Sequence, residues 1–71
     1  MSEEFSLAGH EFITLNNLLK VEGLCASGAL AKQVIEAGQV SVDGVVETRK
    51  RCKIRAGQTV GFNNETRVVT E

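Results

Sequence analysis

Cysteine and histidine are too scarce in this sequence to carry the chemistry they commonly carry. Cys25 and Cys52 stand far apart without a Cys-x-x-Cys pair, and His10 is the lone histidine. Two cysteines do not build a disulfide scaffold, and a zinc site lacks ligands. Both thiols are expected to be small, partly buried apolar groups in a reducing compartment. No run of about 18 apolar residues occurs, so nothing reads as a membrane-spanning helix. The opening Met1-Ser2-Glu3-Glu4 is acidic where a signal peptide would start basic, and a soluble, cytoplasmic chain is expected. Proline, tryptophan and tyrosine are missing, and phenylalanine occurs three times.

What is present describes a small globular unit. The chain has 71 residues, 42% of them apolar and 24% charged, with a formal net charge of −1. That length predicts one domain spanning residues 1–71 with a thin core, because a chain this small buries only about 60% of its unfolded surface. It is too short to enclose a large substrate cleft. His10 with Cys25 or Cys52 is the only base–nucleophile combination, and no spacing brings them together. The expectation is a binding module with no enzymatic activity, no cofactor and no metal.

Periodicity divides the chain. Phe5 and Leu7 alternate around Ser6, which predicts a short N-terminal strand joining the sheet beside the C-terminal strands. Leu15, Leu18 and Leu19 form one apolar stripe of a two-turn helix, with Thr14 as N-cap and Gly23 as its stop. Ser27 caps a second helix whose face is Leu30, Ala31, Val34, Ile35 and Ala37, ending at Gly38. The two helices form a tight corner. The period then becomes two: Val40 and Val42 alternate, Asp43-Gly44 supplies a tight turn, and Val45-Val46 begins the return strand. A bulge at Gly44 would decide which of Val45 and Val46 faces inward. Val60 and Phe62, then Arg67 to Thr70, read as further strands around an Asn63-Asn64 turn. The predicted class is α+β: a two-helix corner packed on a small, mostly antiparallel sheet.

The charge is segregated. From Thr48 to Arg55 five of eight residues are Lys or Arg and none is acidic, and between Phe12 and Thr70 eight basic residues face five acidic ones, a net of +3. If the run is extended, Cys52 and Ile54 point inward, and the cations at Arg51, Lys53 and Arg55 point outward, about 6.6 Å apart. Such a row can follow a phosphate backbone and release its counterions. It can equally be a solvated edge strand kept basic against sheet-to-sheet association. Phe5, Phe12 and Phe62 all sit where a small core needs them. Base stacking is therefore not expected, and any nucleic-acid contact should be to phosphate and sugar.

The order of elements, with Leu15, Leu18, Leu19, Gly23, Ser27, Ala31, Ile35, Gly38, Val40, Val42, Asp43, Gly44, Val46, Gly57 and Val60, resembles the S-four RNA-binding domain, or αL motif. The resemblance covers about residues 13–62. Leu18-Leu19-Lys20-Val21-Glu22-Gly23 and Val45 to Ile54 resemble its small stand-alone bacterial members. It implies binding of structured RNA, ribosomal or transfer RNA, with a ribosome-associated protein as a further partner. The implied positions are Lys32 on the second helix and Arg49, Lys50 and Arg51 after the hairpin, with Lys20 as a further candidate. Lys53 and Arg55 extend that basic face. Larger members usually carry Arg or Lys after the serine that opens helix two, where this chain has Gly28. The bare N–H groups there can still receive a phosphate. Ser27 either caps the helix or contacts that phosphate. The alternative is a protein-interaction module or homodimer, its basic face docking an acidic partner.

Overall fold

The computed structural model describes residues Ser2–Glu71, with side chains from Glu3 onward; Met1 of the acidic opening lies outside the described residues. The architecture is α+β. The elements are β1 (Ser2–Ser6), β2 (Ile13–Thr14), α1 (Leu15–Val21), α2 (Gly28–Glu36), β3 (Val40–Val42), β4 (Val45–Val46), β5 (Lys53–Ile54), β6 (Thr59–Phe62) and β7 (Glu65–Thr70).

Both helices stop for the same reason. Gly23 (φ +72°) and Gly38 (φ +77°) follow the last helical turns in the left-handed region that a side chain disfavours. In each case two reversed bonds close the end. Gly23 N–H donates to Lys20 O and Leu24 N–H to Leu19 O; Gly38 N–H donates to Ile35 O and Gln39 N–H to Val34 O. This is the Schellman arrangement. At the start of α2 the Ser27 hydroxyl accepts from Leu30 N–H at 3.2 Å. Thr14 occupies the N-cap of α1, but its side chain makes no capping bond, contrary to expectation. Backbone carbonyls from the distant basic loop take that role instead: Leu15 N–H donates to Cys52 O at 2.9 Å and Asn16 N–H to Lys50 O at 3.0 Å.

Five strands form one sheet in the order β1-β7-β6-β3-β4, antiparallel except for the parallel β1–β7 pair. The N-terminal strand is thus an edge strand beside the C-terminal one, as its alternation predicts. Asp43 (φ +52°) and Gly44 (φ +82°) make a two-residue turn that pairs Val42 with Val45 and Ser41 with Val46. No bulge forms at Gly44, and both Val45 and Val46 are exposed on the short edge strand. A separate ladder joins β2 to β5, pairing Ile13 with Ile54 and Thr14 with Lys53.

The core lies between the helical corner and the sheet. Leu15, Leu18, Leu19, Ala31, Ile35, Val40, Ile54 and Val60 are fully buried. Cys25 is buried in the same cluster as a free thiol, and Phe5 and Phe62 pack against it. Phe12 stands apart from that cluster, which corrects the expectation that all three phenylalanines serve the core.

The charge distribution contains one residue that sequence reasoning passed over. Arg67 is only 5% exposed, on the inward side of β7 opposite Val60. Its guanidinium meets Glu22 at the end of α1 (2.8 Å), Glu3 on β1 (3.1 Å) and Glu65 on its own strand (3.3 Å). Burial works to lower its pKa; the hydrogen bond to Glu22 and the charges of Glu3 and Glu65 outweigh that and raise it. Arg67 therefore ties the helical corner to the sheet edge, and Glu3 of the acidic arm is engaged there.

Candidate nucleic-acid interface

The basic segment does not fold as one strand. Only Lys53–Ile54 is extended in a ladder, while Lys50 and Arg51 lie in a turn closed by Cys52 N–H donating to Arg49 O at 3.1 Å. The regular spacing expected for an extended run is therefore confined to its end. What holds the turn is local and tertiary at once. Glu47 N–H donates to Val40 O, fixing the loop to β3, and the Lys50 and Cys52 carbonyls accept from the first turn of α1. Ile54, fully buried, anchors the far end.

Arg49 and Glu47 form a two-point ion pair. Arg49 Nε and Nη2 donate to Glu47 Oε2 and Oε1 at 3.0 and 3.1 Å, and Arg49 backbone N–H also donates to Oε2 at 3.0 Å. The guanidinium hydrogen bond, then the backbone one, hold the Glu47 carboxyl down at about 2. Arg49 is pushed up by the same partner. One of the expected free cations is thus neutralised within its own loop. The i, i+2 acid–base spacing was visible in the chain, but an extended reading of the run gave no reason to close it.

Arg51, Lys53 and Arg55 are exposed, whereas Lys50 is half-buried. Arg49, Arg51 and Lys53, with Cys52 between them, line an open surface groove of about 430 Å³. Burial is the main cause that pushes the Cys52 thiol up, followed by the charge of Glu47, so this cysteine stays protonated at neutral pH. His10 lines a different groove, with Leu7, Gly9, Glu11, Ala56 and Glu71. The structure does not bring His10 and Cys52 to one site.

Phe12 belongs to this surface. Lys53 Nζ stands 5.0 Å and Arg55 Cζ 5.6 Å from its ring centroid. The register explains the contact: one step beyond the β2–β5 ladder, Phe12 lies opposite Arg55 and diagonal to Lys53.

The helical candidates sit elsewhere. Lys20 is exposed in the last turn of α1, about 7.5 Å along the axis from the end on which the basic loop docks. Lys32 is exposed on α2, and among the described residues it makes no ion pair with Glu36. The Ser27 hydroxyl is committed to its cap. Gly28 is exposed with open space where a side chain would start, and its N–H leads the helix without an intrahelical acceptor. Among the described residues no group of three or more His, Cys, Asp or Glu side chains is placed to hold a metal ion. No helix there is long and apolar enough to cross a membrane.

A two-helix corner ended by glycine caps, a serine-capped second helix, a tight hairpin and a basic loop docked on the first helix define a recognisable class. The S4 domain family model matches residues 5–70, and the chain belongs to that family. Among its relatives is YbcJ of Escherichia coli (strain K12), whose given name proposes RNA binding. It is 64% identical over 58 residues, covering 82% of this chain and 83% of that protein. YbcJ of Shigella flexneri, named as uncharacterized, matches with the same identity and coverage. The solution structure of Escherichia coli YbcJ, described as revealing an αL motif involved in RNA-binding, superposes with a TM-score of 0.74. It is 56% identical, over 96% of this chain and 86% of that one.

Proposed function

We propose that this chain acts as a single, non-enzymatic RNA-binding domain that docks structured RNA by phosphate contacts. Arg51, Lys53 and Arg55 carry most of the attraction. Lys50, Lys20 and Lys32 widen the face, and the α2 N-terminus at Ser27 and Gly28 receives a further phosphate. Arg49 chiefly holds the loop in shape through Glu47. The observation that carries the reading is the set of three exposed cations, with no carboxylate partner among the described residues, on the loop bonded to α1 and the short strand that follows it. A loop fixed in advance loses little conformational freedom on binding, so its charge is spent on phosphate attraction. Ribosomal or transfer RNA in the cytoplasm fits this chemistry, since both present folded phosphate backbones.

The test is crosslinking in cells followed by sequencing of the attached RNA, with the Arg51/Lys53/Arg55 triple alanine variant as control. Enrichment of structured RNA by the wild type and its loss in the variant is the expected result. Equal recovery by both would overturn the basic face as the docking surface. A second reading, self-association, has one observation in its favour: Val45 (70% exposed) and Val46 (60% exposed) lie on the edge strand β4. Light scattering tests it, and a monomer at all concentrations rejects it.

A further inference from the structure

We infer that Phe12, with Lys53 and Arg55, forms a receptor for one unpaired nucleotide, the base stacking on the ring and its phosphate taken by a displaced cation. This rests on the RNA-binding reading above and adds a ligand subsite to it. Three observations converge on Phe12. It is half-buried, so part of the ring is accessible, and it lies outside the core cluster that the other two phenylalanines join. The β2–β5 register sets it beside two cations, with Lys53 at 5.0 Å and Arg55 at 5.6 Å from the ring centre. Lys53 also lines the open groove with Arg49 and Arg51, so the ring borders the path a phosphate backbone would follow.

The exchange is favourable on general grounds. A cation over an exposed aromatic ring gains less than a nucleobase stacked on the same ring. A base can therefore replace one cation, and the freed ammonium or guanidinium, still tethered beside the ring, is placed to meet the adjoining phosphate. Fully paired RNA keeps its bases in the helical stack and offers only backbone. The subsite thus favours RNA with a bulged or loop nucleotide next to a paired stem.

The experiment measures binding of the full chain to two RNA hairpins, one perfectly paired and one with a single bulged 2-aminopurine, by anisotropy and by 2-aminopurine fluorescence. The wild type is expected to bind the bulged hairpin about tenfold more tightly, with a fluorescence change reporting stacking. Phe12→Leu, which keeps apolar bulk but removes the ring, should lose the preference and the fluorescence change. Phe12→Tyr should restore both signals. If Phe12→Leu keeps the wild-type preference and fluorescence change, the subsite is refuted while phosphate docking stands. If the wild type binds neither hairpin, the underlying RNA-binding reading fails together with the subsite.

Discussion

Replacing Arg51, Lys53 and Arg55 together with alanine tests the electrostatic reasoning most directly, because its outcome is a slope as well as an affinity. Each cation that meets a phosphate releases counterions, and log K then falls with log salt by about 0.7–0.9 per contact. Three contacts removed should flatten the slope by about 2–3. Between 50 and 200 mM salt, a fourfold change, the wild type should lose about 20–40 times more affinity than the variant. All three side chains are exposed and make no ion pair among the described residues, so the melting temperature should fall only by what the Lys53 and Arg55 contacts to the Phe12 ring contribute. The assay is fluorescence anisotropy of a labelled structured RNA at four or five salt concentrations. Arg49→Ala is the internal comparison. Its guanidinium already meets Glu47 at two points and would have to break that pair to reach a phosphate, so its loss should leave the slope nearly unchanged. Parallel lines for wild type and triple variant would refute the argument, and so would an Arg49→Ala slope change as large as one third of the triple's.

Other outcomes follow from single groups. Glu47 has a folded pKa of about 2, below the ordinary carboxyl value. Its pairing therefore stabilises the loop fully above about pH 4.3 and the contribution is lost as pH falls through the folded value. An NMR titration of the Glu47 carboxyl carbon should show a midpoint near 2 that rises toward the ordinary range in Arg49→Ala, which keeps only the backbone bond. A wild-type midpoint already in the ordinary range refutes the pair. Arg67→Met should cost about 2–4 kcal/mol in urea unfolding, since it removes a buried charge and leaves Glu22 without its partner; a loss below about 0.5 kcal/mol would mark the cluster as an ordinary exposed one. Gly23→Ala should cost about 1 kcal/mol because a side chain at φ +72° is strained. Gly28→Ala, in open space at the start of α2, should be neutral or stabilising by about 0.5–1 kcal/mol, and the same unfolding assay separates the two.

Much of the fold was written in near-neighbour chemistry. Leu15, Leu18 and Leu19 recur at helical spacing, Ser27 sits three residues before the N–H it accepts from, and Asp43-Gly44 carries the positive φ its turn requires. Each of these signals is complete within about one helical turn or one hairpin, so reading the chain locally finds the helices, the caps and the turn. The general location of the exposed cations was legible in the same way, as a run of like charge.

Which of the chain's cations are free was only partly legible, because charges far apart in sequence are paired by the fold and not by composition. Arg67 meets Glu22 across 45 positions and Glu3 on the N-terminal strand, so its removal from the cationic surface needs β1, β7 and α1 assembled. Thr14 looked like a cap by residue type, yet the carbonyls of Lys50 and Cys52 reach the α1 N–H groups once the loop has docked. Phe12 reads as core by hydrophobicity alone. Its place among Lys53 and Arg55 is decided by a two-residue ladder between segments 40 positions apart. Short-range stereochemistry selects the elements because its partners are always within reach. Ion pairs, shared caps and the side of a sheet on which a ring lands depend on distant segments meeting, and only the assembled chain brings those together.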